Sequence, residues 1–341
     1  MWSDIKTQLD RVSRSFALCI PLLEDGLKET IGLSYLLLRA LDCIEDSQIE
    51  KEKKELLYSL FSDLIKNSDK KNNEATIALF EKREWKGIKK VEAEFMTSGA
   101  FARTLRYYWD LDENYRSIIA SCIEEMAFGM KKYSSPDNKT NFIVLESGTR
   151  ILRNQKSYDD YCYYVAGTVG LLLTKITLKF YSSKLTMSDS MKNLALAFGR
   201  VLQKVNIIKD CREDYQRGLC FLPKVFLTKI SCNIDRINLK LILKDLEQDL
   251  VLARDYIFSL PDNYKRFKKF CLLALMPAYK TLIYIMKNQD LFYQKDESIK
   301  IPKAQMLKCF AEVMASSVKK ESLEALHQEL YSQPFLSPTV A

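Results

Sequence analysis

Leu36–Gln48 reads LLLRALDCIEDSQ, an apolar run that takes in Arg39, Asp42, Glu45 and Asp46 before it ends. Carboxylates inside a protein are costly unless something pairs with them. On a helix at about 100° per residue, Tyr35, Arg39, Asp42 and Asp46 fall within an arc of roughly 60°. Leu33, Leu37 and Ile44 lie on the opposite side. One face is therefore core and the other a line of ionisable groups. Such a line is usually a solvated face, whereas the flanking Leu36 and Leu38 suggest an interior one. This helix alone leaves both readings open.

A second stretch resembles the first. Leu202–Gly218, LQKVNIIKDCREDYQRG, carries Gln203, Asn206, Asp210 and Asp214 within an arc of roughly 80°, with Val201, Val205 and Ile208 opposite. Asp42-x-x-Glu45-Asp46 and Asp210-x-x-Glu213-Asp214 thus share the pattern D-x-x-E-D. One such pattern is weak evidence, but two, each backed by a core face and preceded by polar groups, point to chemistry. Aspartates one turn apart suit a hard cation such as Mg²⁺, which takes oxygen ligands and keeps part of its water shell. Two such helices facing each other would hold Mg²⁺ against a diphosphate leaving group, helped by nearby Arg and Lys. If the group left behind is allylic, a carbocation forms, and the rest of the pocket must be apolar and dry.

The remaining composition narrows the alternatives. The chain has 341 residues, 47% of them hydrophobic, with only 10 Gly and 8 Pro. Sparse turn residues, abundant Leu, Lys and Glu, and long stretches of three-and-four spacing predict a mostly helical protein. About a dozen helices are expected, packed as a single all-α domain over residues 1–341 with its core at about 12–313; no linker marks a boundary, and no segment shows sustained period-two alternation. A net charge of +8 suits an anionic partner, but it is dispersed and no nucleic-acid motif is present, so no nucleic-acid partner is expected. Nine cysteines without a CxxC pair read as small buried hydrophobes in a reducing compartment. The single histidine, His327, argues against a His-based zinc site or a Ser-His-Asp triad. The polar opening MWSDIKTQLD is unlike a signal peptide. The apolar runs Tyr163–Thr174 and Phe270–Tyr279 are short for a bilayer, so a cytoplasmic protein is expected. Pro277, inside one apparent helix, is expected to kink it or start a new one.

Four segments then resemble a known family. SRSFALCI (Ser13–Ile20), YLLLRALDCIED (Tyr35–Asp46), YCYYVAGTVG (Tyr161–Gly170) and LQKVNIIKDCRED (Leu202–Asp214) are similar to signatures of the squalene/phytoene synthase family of head-to-head prenyl synthases. They come in family order, and the likeness runs on through FCLLALMPAYKTL to IKIPKA. Both acidic motifs look more like those of squalene synthases than of phytoene synthases. The resemblance implies a class I isoprenoid (terpenoid) synthase fold with a central cavity. It implies a farnesyl-diphosphate farnesyltransferase: two farnesyl diphosphates condense to presqualene diphosphate, which is then reduced to squalene with NADPH. Carried over by residue, Asp42, Asp46, Asp210 and Asp214 would bind Mg²⁺. Arg14, Tyr35, Arg39, Gln203, Asn206, Lys209 and Arg217 would meet diphosphate, and Tyr161 would assist proton removal. Asn206, Lys300 and Lys303 would serve the cofactors, the two lysines around NADPH. Gly167 and Gly170 would let helix backbones approach the cavity. A monomer is expected, with room for peripheral contact with a bilayer through which a hydrocarbon product leaves.

This sequence departs from the family pattern at four places. Lys209 stands where Arg is usual, so a bidentate clamp becomes a point charge. Leu219 replaces an arginine, Pro302 interrupts the basic stretch, and Tyr163 replaces a common histidine. These bear most on the reductive half-reaction. Dehydrosqualene, phytoene-type or presqualene diphosphate synthesis without reduction is the alternative, and a non-catalytic scaffold a more distant one. By themselves, Tyr161 reads equally as a packed tyrosine and Lys300 and Lys303 as surface lysines.

Overall fold

The structure, a computed structural model, describes all residues except 14, 68–69, 135–138, 182–186, 228–236, 295–297, 316–317 and 336–341. The side chains of 70–72, 134 and 294 are likewise left aside. The chain folds as two compact units: Met1–Pro136 with Leu172–Met187, and Asp137–Leu171 with Ser188–Ala341.

Among its described residues the first unit contains helices and the turns between them, with no strand. Its central element is the first acidic helix, Leu27–Asp46, which starts after Gly26 at φ 87° and ends where Ser47 turns extended. At its start Glu29 reaches back to accept the Gly26 amide, meeting one of the donors that a helix N-terminus leaves open. Leu33, Leu36, Leu37, Leu41 and Ile44 are all 0% exposed, so the apolar face is fully used. The helix Trp2–Val12 packs against Gly32, where an added Cβ would lie 2.7 Å from the Ile5 side chain. Beyond it, Phe101 gathers Phe61, Phe80 and Phe95 at ring separations of 6.0, 5.3 and 6.5 Å.

The second unit is built on the second acidic helix, Asp189–Gln216, capped at its start by the Ser188 hydroxyl, which accepts the Met191 amide at 3.2 Å. It meets the helix that begins at Gln155 at backbone contact. A Cβ on Gly170 would lie 2.0 Å from the Ala195 carbonyl oxygen, and one on Gly199 would lie 2.0 Å from that of Ala166. Gly170, expected to let helix backbone approach a cavity, lets two helices touch, with Gly199 as its counterpart. At this crossing Tyr163–Gly167 widens into a π turn, a feature often found at functional sites.

Three short strands depart from the expectation of helices alone. Phe142–Val144 pairs antiparallel with Arg150–Leu152, which runs parallel to Leu219–Pro223. Runs of three to five residues are too short to show a period of two. Pro277 neither ends nor restarts its helix, which runs unbroken from Lys265 to Lys287. This helix and the run Gln155–Phe180 are 23 and 26 residues long and apolar enough to cross a membrane by length and composition. That corrects the shorter runs read from sequence; 72% and 67% of their apolar windows are buried inside the protein, as in core helices. The eight described cysteines are all buried.

Candidate active site

On the first acidic helix the polar stripe forms one connected array. Arg39 donates from Nη2 to the Tyr35 hydroxyl at 3.1 Å, and its Nη1 lies 3.2 Å from Asp42 Oδ2. Its guanidinium also covers the Tyr35 ring at 5.7 Å, and that ring packs on Phe16 at 5.4 Å. The Arg39 Nε is buried and has no hydrogen-bond partner among the described residues. A third carboxylate, Glu92, is 5% exposed and stands 3.8 Å from Arg39 Nη1 and 3.6 Å from Lys89 Nζ. Its other oxygen accepts the Lys89 amide at 3.1 Å, which starts the helix Lys90–Thr97.

Carboxylates and cations are evenly matched here, and burial decides the balance. Burial first, and then Asp46 and Glu92, push the Asp42 carboxyl up to about 7 against the opposing pull of Arg39 and Lys89. Asp46 is raised as well, by burial and Glu92, against Arg39, Lys89 and Lys54. Burial alone would lower Arg39, but Asp42, Tyr35 and Glu92 outweigh it and raise it. Hard oxygen donors one turn apart, their charge disfavoured by burial and beside an oriented arginine, fit a magnesium-bound diphosphate. Among the described residues no three His, Cys, Asp or Glu side chains converge into a cage. Mg²⁺ typically takes one or two carboxylates and completes its shell with water and phosphate oxygens.

On the second acidic helix, Asp210 is held from two sides. Lys209 pairs with its Oδ2, and the Ser298 hydroxyl donates to its Oδ1. Ile299 donates its amide to the Lys209 carbonyl at 2.9 Å and is itself buried. The segment before IKIPKA is thus strapped across this helix beside an expected metal ligand. Lys300 and Lys303 are exposed, and Pro302 caps the helix Lys303–Met314. Gln203, Asp210 and Asp214 are half-buried and Asn206 is exposed. Arg217 pairs with Glu213 in the turn at Gly218. Leu219 opens the strand Leu219–Pro223.

Tyr161 is buried, its ring stacked on Phe221 at 4.1 Å and 5° between planes. Tyr163 lies edge-on to Tyr164 at 5.2 Å. Arg14 lies outside the described residues. Two groups escaped the reading of the sequence. Glu92 is one, and its position three residues after Lys89 was its only local sign. The other is a buried network around Lys204, whose side chain is 4% exposed and meets Asp245 at 2.9 Å, Asp249 at 3.1 Å and Asp159 at 3.3 Å. Arg200, one turn earlier, reaches Asp249 at 2.6 Å. Burial would lower Lys204, but the three aspartates overcome it and raise it. This network fixes the rotation of the second acidic helix against Gln155–Cys162 and Leu239–Ser259. Cations at positions 200 and 204 amid Phe198, Val201 and Val205 were the signal available in the sequence.

Residues 9–305 match the family model described as squalene/phytoene synthase. The squalene synthase of Schizosaccharomyces pombe is 30% identical over 309 residues, covering 87% of this chain and 62% of the yeast protein. That of Homo sapiens is 25% identical over 343 residues, covering 96% of this chain and 74% of the human one. The chain thus spans less than two-thirds of the length of the yeast relative. Among solved structures, TcSQS in complex with the ligand BPH1237 superposes with a TM-score of 0.75 at 22% identity, covering 96% of this chain and 97% of that one.

Proposed function

Because the chain belongs to the squalene/phytoene synthase family, and shares the all-α isoprenoid synthase fold of its structural neighbours, we propose that it joins two farnesyl diphosphates head to head. The product of this step is presqualene diphosphate, which the same enzyme reduces with NADPH to squalene. The observation that carries the reading is the array Tyr35–Arg39–Asp42, with its oriented guanidinium and raised carboxyl.

Asp42 and Asp46 would hold Mg²⁺ on one acidic helix, and Asp210 and Asp214 would hold it on the other. When bound, Mg²⁺ supplies positive charge that stabilises the departing diphosphate. Arg39 is already oriented by Tyr35 and Asp42, so its guanidinium would meet a phosphate oxygen with little reorganisation. Gln203 and Asn206, one to two turns before Asp210, would donate amide hydrogens to diphosphate. Arg14, Lys209 and Arg217 would add charge, with Lys209 a mobile point cation rather than a fork. Tyr161, its ring fixed against Phe221, would hold its hydroxyl in place to assist proton removal as the cyclopropane closes. Lys300, on a strap anchored at Ile299, and Lys303, at the start of the next helix, are both exposed, which fits the phosphates of NADPH. We take residues 1–341 as a catalytic domain of a cytoplasmic monomer, with peripheral contact to a bilayer for release of the hydrocarbon.

Pro302 favours a second reading, in which reduction does not occur: it ends the strap and starts a helix within the basic stretch. Incubating the full chain with Mg²⁺ and labelled farnesyl diphosphate, with and without NADPH, separates the two. Squalene formed only with NADPH is the expected result. Presqualene diphosphate or dehydrosqualene unchanged by NADPH would establish the second reading. Failure to release diphosphate from any prenyl diphosphate would refute both.

A further inference from the structure

Asp210 has its two carboxylate oxygens divided between two kinds of donor. Lys209, its neighbour on the helix, sets an ammonium on Oδ2. Ser298, far along the chain, sets a neutral hydroxyl on Oδ1. An ammonium draws on the same negative charge that a metal ion would use, so it must yield when one binds. A flexible lysine stem can do so by changing rotamer. A hydroxyl donor has no such conflict. It fixes the plane of the carboxylate and leaves the other oxygen to the cation, as outer partners of metal ligands do. The strap is held independently at the next residue, where Ile299 donates its amide to the Lys209 carbonyl at 2.9 Å with its side chain 4% exposed. Ser298 is therefore delivered by anchored backbone, not by a wandering loop.

We propose that Ser298 is a positioning residue for Asp210, and that its hydroxyl joins the basic strap to the metal end of the site. The inference rests on Asp210 being a metal ligand, as proposed above. Lys300 lies two residues beyond Ser298, so whatever fixes the Ser298 bond also fixes where the first strap lysine starts. By reciprocity, a cation that orders Asp210 must also order the strap.

Mn²⁺ with inorganic pyrophosphate is the probe, read by electron paramagnetic resonance alongside hydrogen exchange of the Ile299 amide. For the wild-type full chain, Mn²⁺ and pyrophosphate are expected to slow exchange at Ile299. Asp210→Asn should remove a fraction of the bound Mn²⁺. In Ser298→Ala, that same fraction should bind about tenfold more weakly, and Ile299 should exchange faster with little response to Mn²⁺. Ser298→Thr, which keeps the hydroxyl, should restore both. Wild-type Mn²⁺ affinity in Ser298→Ala would overturn the inference even if its melting temperature falls, because a purely structural serine would lower stability alone. Mn²⁺ binding unchanged in Asp210→Asn would instead refute Asp210 as a ligand, and the inference with it.

Discussion

Asp42 is a carboxyl whose own fold disfavours its charge, and that has a sign that can be worked out. Its folded value of about 7 lies above the unfolded value of about 3.9. Between those limits the folded state holds the extra proton, so stability of the metal-free protein falls as pH rises through this window and is lowest above it. Asp42→Asn should therefore raise the metal-free melting temperature at pH 8, by an amount equivalent to about 1–3 kcal/mol, and leave it unchanged near pH 3. Calorimetry across pH reads this directly, and equal melting at pH 8 would show that Asp42 is not held under strain. With Mg²⁺ and pyrophosphate the order should reverse, since only the wild type gains the full ligand. Glu92 acts on the same array from outside the helix. Glu92→Gln keeps the acceptor for the Lys89 amide but removes a charge from Arg39, so kcat/KM for farnesyl diphosphate should drop about tenfold, or ~1.4 kcal/mol, with helix content unchanged by circular dichroism. Full activity would make Glu92 a cap and nothing more. The stripe Tyr35–Arg39–Asp42 could be read from spacing because its members lie one turn apart. Glu92 could not, because its role depends on which helix packs beside it, and periodicity reports only local order.

At the scale of elements, the crossing at Gly170 and Gly199 is the tightest constraint in the second unit. Either residue changed to Ala would drive a methyl into a carbonyl oxygen 2.0 Å away, so the helices must separate. Each change should cost about 3 kcal/mol or more in urea unfolding. Gly148→Ala is the informative contrast: φ is +82° but nothing lies within 4 Å, leaving a conformational cost of about 1–2 kcal/mol. Comparable losses in all three would mean that conformation, not helix contact, decides. The C-terminal helix Lys320–Tyr331 carries a second marker in His327, which lies 3.3 Å from the Tyr279 hydroxyl. Burial, aided by Arg254 and opposed by Glu247, lowers its proton affinity. A depressed histidine binds fewer protons folded than unfolded, so docking of this helix should weaken as pH falls through about 6.5 and below. As the chain has one histidine, its single imidazole resonance should titrate below 6.5 by nuclear magnetic resonance. A midpoint at or above 6.5 would contradict this. The long helices were legible from three-and-four spacing. The π turn and the three strands were not, since a one-residue widening or a three-residue run leaves no period to detect.

At the scale of the molecule, the two acidic stripes are read as serving one reaction, which predicts how their losses combine. Asp42→Asn and Asp210→Asn should each remove most turnover, by about 100-fold or more, with the helical fold intact. The double variant should be little worse than either, as is typical of groups that act as a unit; multiplied losses would mean separate tasks. Fold class and both stripes were legible because they repeat one pattern on two amphipathic helices. The Lys204 network and the Ser298 bond were hidden because they join residues roughly 40 to 90 positions apart, and only packing brings such residues together. Lys209 on Asp210 and Arg39 on Asp42 carry a further consequence. Each site aspartate so paired brings its own cation, so the protein need not wait for metal in order to fold. It differs in this from a zinc finger, whose binding energy is its folding energy. Stripping divalent ions with a chelator should leave the circular dichroism spectrum unchanged. Loading would then become an exchange of one counter-ion for another, paced by the slow shedding of water from Mg²⁺ rather than by assembly of the chain. If magnesium is the metal, as proposed, an enzyme so arranged could be made, stored and moved empty, and switched on when magnesium arrives with its substrate.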